Sequence, residues 1–131
     1  MRTGEVLDMA ENRTTVSGTI YIYRSALRHF ITGEEIRATI AFPRLVYSLV
    51  SRISDSALIY RYVGGREGGP WIEVLADIRS NGIHVFHAML LTRSTALEAE
   101  AASGRSVSFV EDVVAQRKSF PGAVNDTDGQ E

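Results

Sequence analysis

Apolar and polar positions alternate most cleanly from Trp71 to Arg79. Ile72, Val74, Ala76 and Ile78 fall on one parity; Glu73, Asp77 and Arg79 fall on the other. A period of two predicts a strand with the first set facing a core and the second facing solvent. Three more runs share this β-rich character: Leu45–Arg52, Ala57–Val63 and Ile83–Leu91. Ser54-Asp55-Ser56 reads as the turn between the first two. Gly64-Gly-Arg-Glu-Gly-Gly-Pro70 reads as the loop into the third strand, and Asn81-Gly82 as a tight hairpin turn into the fourth. Residues 14–23, with Ile20 and Ile22 alternating with Tyr21 and Tyr23, predict a short strand or an extended lead-in.

The remaining segments show helical spacing. Ser25 caps a short helix over Ala26–Phe30. Thr32-Gly33-Glu34-Glu35 has the form of a capping box, and the helix it opens carries Ile36 and Ile40 inward and stops at Pro43. Thr92 or Ser94 caps a further helix that runs through Ala102 and stops at Gly104. Val107–Lys118 is a last amphipathic helix, apolar at Val110, Val113 and Val114. The order predicts an α+β fold: N-terminal helices, a four-stranded antiparallel meander sheet, then C-terminal helices. Residues 1–118 are expected to form one domain, and 119–131, small and polar, a disordered acidic tail.

Composition narrows the class. No apolar run reaches the roughly 18 residues of a membrane-spanning helix, and the polar N-terminus does not resemble a signal peptide. The chain has no cysteine, hence no disulfide framework and no thiol nucleophile. A cytoplasmic protein is the expectation, with no membrane partner. The net charge of -2 at first disfavours nucleic acid. Its distribution reverses that: residues 1–12 carry -2 and 119–131 carry -3, which leaves +3 for 13–118. Thirteen of the 14 basic residues are arginine, the side chain suited to forked phosphate contacts.

Candidate chemistry sits on the predicted strands. The GGREGG loop joins two strands and lacks the lysine of a phosphate-binding loop, so it reads as a hairpin connection. His84 and His87, three residues apart, point to opposite faces of a regular strand and cannot share a metal from there. His29 is the only other histidine, so no metal or other cofactor is expected. One of these imidazoles is a candidate general acid or base. Arg61, Arg79 and Arg93 mark two strands and a helix start, with Tyr47, Tyr60 and Tyr62 among them. Such a face could bind RNA phosphates and stack bases, although Arg61 alternates with Tyr60 and Tyr62 and falls on the opposite parity. Glu73 and Asp77 share a face but stand about 13 Å apart, too far for paired carboxylate work. A serine triad would lack its Gly-x-Ser-x-Gly elbow.

The order of these segments resembles a known family. Arg24-Ser-Ala-Leu-Arg28-His29-Phe-Ile-Thr-Gly-Glu-Glu-Ile36, Ile59-Tyr-Arg61-Tyr62-Val-Gly64 with Trp71-Ile-Glu-Val74, and His84-Val-Phe-His87-Ala-Met-Leu-Leu-Thr-Arg93 resemble, in turn, the motifs of BrnT-like toxins of type II toxin–antitoxin systems, within the RelE/ParE superfamily. The likeness spans about residues 20–100. It implies a RelE-like fold and a metal-independent RNA endonuclease that is neutralised by a cognate antitoxin protein. It also implies Arg61 and Arg93 as phosphate ligands in catalysis and His87 as the proton-transfer group. Arg79, His84, Arg28 and Tyr62 would contribute to RNA binding, and His29 would be structural. Two departures stand out: Phe30 occupies a position where the family usually has glycine, and the lysine expected before the first helix has no clear counterpart. The rival expectation is a non-catalytic interaction module with the same fold, self-associating through its sheet or last helix.

Overall fold

The computed structural model describes residues 18–49, 57–65 and 70–119. A five-stranded mixed sheet lies between two helical layers. The strands are β1 (Ile20–Ile22), β2 (Leu45–Leu49), β3 (Ile59–Gly65), β4 (Trp71–Arg79) and β5 (Gly82–Leu90). Their order across the sheet is β1-β5-β4-β3-β2. β2 through β5 pair antiparallel with their sequence neighbours, while β1 pairs parallel with β5, Tyr21 opposite His84.

This corrects the expected architecture. The fold is α+β, but the sheet is not a four-stranded antiparallel meander preceded by helices. Among the described residues a strand comes first, and it closes the far edge of the sheet in parallel. The reason is local burial: Ile20 and Ile22 pack on the same cluster as Ile83 and Val85. Parallel pairing needs a long return path, and the residues between Ile22 and Gly82 supply it. The RelE-like four-stranded sheet is overturned with it.

Two of the helices open on the caps expected from the sequence, and the first helical element does not. It is a 3-10 turn, Arg24–Leu27, that runs on from β1 with Tyr23 at its N-cap and no side-chain cap bond; Ser25, expected as the cap, lies inside it. Helix α1 (Gly33–Ala41) opens on a complete capping box: Thr32 Oγ1 accepts from Glu35 N at 3.1 Å, and Glu35 Oε1 accepts from Thr32 N at 2.8 Å. Helix α2 (Arg93–Ala102) is capped by Thr92, whose hydroxyl accepts from Thr95 N. Gly104, at φ 66°, follows its end. Helix α3 runs Val110–Ser119. The proposed Ser54–Ser56 turn, most of the glycine-rich loop and nearly all of the tail lie outside the described residues.

Two apolar clusters hold the layers together. On one face, Ala26, Ile31 and Ile36 from the 3-10 turn and α1 pack on Tyr62, Ile72, Val74, Ala76, Ile83, Val85 and Ala88. On the other, Ala96, Ala99, Phe109 and Val113 from α2 and α3 pack on Val63, Trp71 and Leu91. The Trp71 and Phe109 rings meet edge to face at 4.7 Å. Buried Gln116 ties α3 to the sheet, accepting from Trp71 N at 2.8 Å and donating to Leu91 O at 3.3 Å. With both faces covered, Glu73 is buried at 3% exposure, contrary to the solvent-facing position expected from alternation.

Among the described residues no helix is long and apolar enough to cross a membrane.

Candidate functional site

The α2-side face of the sheet carries the chemistry. Strand register places Tyr47 opposite Arg61 and Leu75 opposite both Arg61 and His87, so all share that face with Glu73. A β-bulge governs β5. Leu75 pairs with His87 but Ala76 pairs with Val85, so Phe86 is the extra residue. One extra residue inverts the parity of everything beyond it. His84, opposite Asp77, therefore points to the same face as His87, not to the opposite one. Ser25 Oγ donates to the Phe86 carbonyl at 2.7 Å, satisfying the irregular backbone there.

Glu73 sits at the centre. Its Oε1 lies 3.0 Å from Arg61 Nε, and its Oε2 lies 3.8 Å from His87 Nε2. The Arg61–Glu73 contact lacks good hydrogen-bond geometry and is held by opposite charge in a buried setting. Arg61 Nη1 also donates to Tyr47 Oη at 2.9 Å and to Glu98 Oε1, while Tyr47 donates to the same Glu98 oxygen at 2.8 Å. The Arg61 guanidinium lies over the Tyr47 ring, 5.7 Å from its centroid. Burial raises the Tyr47 phenol above its ordinary 10.0, with Arg61 opposing the rise. The phenol therefore stays protonated and donating at neutral pH.

His29 completes the group. Where β1 ends, the chain continues beside β5: Tyr23 N donates to Val85 O at 2.9 Å, and the 3-10 turn follows. Two residues past that turn, exposed His29 meets His87 edge to face, with ring centroids 5.7 Å apart. His87 is partly exposed, at 28% of its side chain, while Glu73 behind it is closed off at 4%. The result is a solvent-reachable pair of imidazoles, one of them backed by a buried carboxylate.

The other expected residues fall elsewhere. His84 is buried, and both ring nitrogens are engaged: Tyr23 Oη at 2.8 Å from Nδ1 and Asn81 Oδ1 at 2.7 Å from Nε2. Tyr21 stacks on its ring at 4.6 Å. Asn81 can only accept through Oδ1, so Nε2 carries the proton and Nδ1 accepts from Tyr23. Burial pushes the His84 pKa below 6.5, helped by the positive Arg79 nearby and opposed by Asp77. Tyr62 is buried in the core on the opposite face from Arg61. Both His84 and Tyr62, expected to be available for binding, are buried. Arg79 is exposed but paired to Asp77, Nε to Oδ2 at 2.9 Å. Arg28 is exposed and precedes His29 in the chain. Arg93 is exposed at the start of α2, five residues ahead of Glu98.

Sequence reasoning missed Glu73 as a buried group and His29 as a partner of His87. A signal for Glu73 was present: Trp71 and Leu75 share its parity, and two large apolar residues on a nominally solvated face indicate burial on both sides. No local signal links His29 to His87, which stand 58 positions apart.

No family model matches the chain, nor does any curated protein or solved structure. Among the described residues, no group of three or more His, Cys, Asp or Glu side chains is arranged to hold a metal ion.

Proposed function

We propose that this protein is an RNA endonuclease that works by imidazole acid–base chemistry and requires no metal. The observation that carries this reading is the His29–His87 pair at 5.7 Å, with His87 backed by buried Glu73. Cleavage next to a 2'-hydroxyl needs one group to take the hydroxyl proton and another to protonate the departing 5'-oxygen. Glu73, on the Nε2 side of His87, favours the tautomer with its proton on Nε2 and leaves Nδ1 as the acceptor. A 3.8 Å gap is long for a hydrogen bond, and such catalytic contacts often shorten once substrate is bound. His87 then removes the 2'-hydroxyl proton as that oxygen attacks phosphorus. His29 as imidazolium donates a proton as the P–O5' bond breaks. The products are a 2',3'-cyclic phosphate and a 5'-hydroxyl, so atoms and charge balance without a co-reactant.

Arg61 has a different role in this scheme from the phosphate ligand that the resemblance implies. Its Nε and Nη1 face the carboxylates of Glu73 and Glu98. It neutralises Glu73 and fixes its orientation, which makes it a positioning residue. Arg28, exposed beside His29, is the cation closest in sequence to the proposed chemistry and is the one we assign to the phosphate. Arg93 is a second, more distant candidate.

The test is cleavage of a structured RNA in EDTA, with product ends identified. Wild type should yield cyclic-phosphate ends, and His87→Ala and His29→Ala should each lose at least tenfold in rate. Equal cleavage by the double variant overturns the assignment. A toxin held by a cognate antitoxin rests on the short motifs over residues 20–100 alone, since the fold implied with them is not the one observed. Growth arrest on expression, relieved by His87→Ala, is its test.

A further inference from the structure

We infer that Phe30 is a nucleobase platform that stacks a single-stranded base flanking the scissile phosphate; this rests on the ribonuclease reading above. Phe30 is 87% exposed and lies at φ 68°, in the left-handed region that favours glycine. Bulky residues occupy that region rarely, because Cβ crowds the backbone. The turn itself has a structural purpose. It brings the chain from the 3-10 turn back so that Ile31 enters the core at 6% exposure and Thr32 caps α1. That purpose would be met by glycine or asparagine. An aromatic side chain there accepts the backbone strain and buries almost none of its surface. Strain of this kind, without packing in return, points to a contact outside the fold.

Its neighbours indicate which contact. Phe30 follows His29 directly, so their Cα atoms are about 3.8 Å apart, and His29 meets His87. Arg24 and Arg28 on the same segment are exposed. An aromatic face beside cations and a proton-transfer pair matches what single-stranded RNA needs: a surface for a base, cations for its phosphates. The acidic groups nearest in the chain do not oppose this evenly. Glu35 is committed to the capping box with Thr32, and Glu34 is exposed on the first turn of α1. Phe42 provides a contrast. It is similarly exposed, at 82%, but its backbone is at φ -133°, and it lies past the other end of α1.

The test uses a fluorescein-labelled 2'-O-methyl oligoribonucleotide of mixed sequence, which lacks the nucleophile and is not cut. Binding is followed by anisotropy at low salt, beside cleavage of unmodified RNA in EDTA. Phe30→Ala and Phe30→Gly should weaken binding about tenfold or more, in line with base–aromatic stacking, and leave the salt dependence unchanged. Phe30→Trp should retain binding, with its fluorescence quenched by the oligonucleotide. Thermal melting should show all three variants folded, with Phe30→Gly at least as stable as wild type. Wild-type affinity in Phe30→Ala overturns the inference and leaves the cleavage reading standing. Unaltered RNA binding with altered self-association in sedimentation also overturns it, in favour of a protein-contact role. Phe30-dependent binding without any cleavage supports the platform and overturns the endonuclease. Wild type that does not bind the oligonucleotide overturns the platform outright.

Discussion

Glu73 Oε2 faces His87 Nε2 at 3.8 Å from a position that is itself almost sealed from solvent. A buried carboxylate there is costly, and it is tolerated because Arg61 stands on its other oxygen. The arrangement ties one residue's chemistry to another's charge, and each link can be cut separately.

Glu73→Gln keeps the shape of the side chain and removes its charge. The amide oxygen can still accept from His87 Nε2, but it carries no charge to stabilise the cation that His87 becomes on taking a proton, so the proposed cleavage should fall at least tenfold, within the range attributed to general acid–base catalysis. RNA binding should change less than twofold, because Glu73 is too buried to touch the polymer. A variant that cleaves like wild type would remove Glu73 from the mechanism.

Arg61→Met should act on stability. It leaves Glu73 charged and without its partner in a buried setting, a loss on the order of 3–5 kcal/mol. Glu98→Gln, at an exposed position, should cost under about 1 kcal/mol. Urea denaturation of the two variants measures the difference. Comparable losses would mean that the Arg61–Glu73 pair is not the stabilising one. The double variant Arg61→Met with Glu73→Leu should recover most of the loss, since an apolar pair leaves no stranded charge.

These links show what was legible in the sequence. The capping box of α1, the strand over Trp71–Arg79 and the α2 boundaries follow from local patterns, and local patterns are visible in one dimension. The parity of His84 and His87 was not, because it depends on the bulge at Phe86. The carbonyl at that bulge is satisfied by the Ser25 hydroxyl, from a segment 61 positions away. Alternation places Glu73 in solvent only where one face of the sheet is buried, and here both faces are covered. The three residues of β1 read as extended, but nothing within them specifies the strand they join in parallel.

His84 predicts a pH dependence of stability. Its folded pKa lies below its ordinary 6.5 because burial disfavours the charged form. The folded state therefore binds fewer protons than the unfolded chain as pH drops through that range. The stabilisation is present above pH 6.5 and is lost as pH falls toward the folded pKa. Melting temperature should decline on acidification below 6.5. His84→Gln should flatten that part of the profile, since Gln can still hydrogen-bond but does not titrate. An identical slope in the variant would place the proton uptake elsewhere.

Gly82 predicts how β1 is held. The expected hairpin put Asn81-Gly82 in the turn, yet Gly82 opens β5, opposite Arg79, with φ 144°. A Cβ there would lie 2.5 Å from Thr19 O and 3.0 Å from Tyr21 Cε2. The Thr19 carbonyl is also the acceptor for Ile83 N at 2.9 Å, so a side chain at 82 pushes on the bond that docks β1. Gly82→Ala should cost about 2–3 kcal/mol, combining backbone strain with displacement of β1. Gly104→Ala is the control: its φ is 66°, but no atom lies within 4 Å of the added carbon. Strain alone there should cost about 1–2 kcal/mol. Hydrogen exchange separates the two effects. The Ile83 amide should lose protection in Gly82→Ala beyond the global destabilisation and keep it in Gly104→Ala. Because β1 leads into the turn that carries His29, loosening it should also slow the proposed RNA cleavage, whereas Gly104→Ala should not.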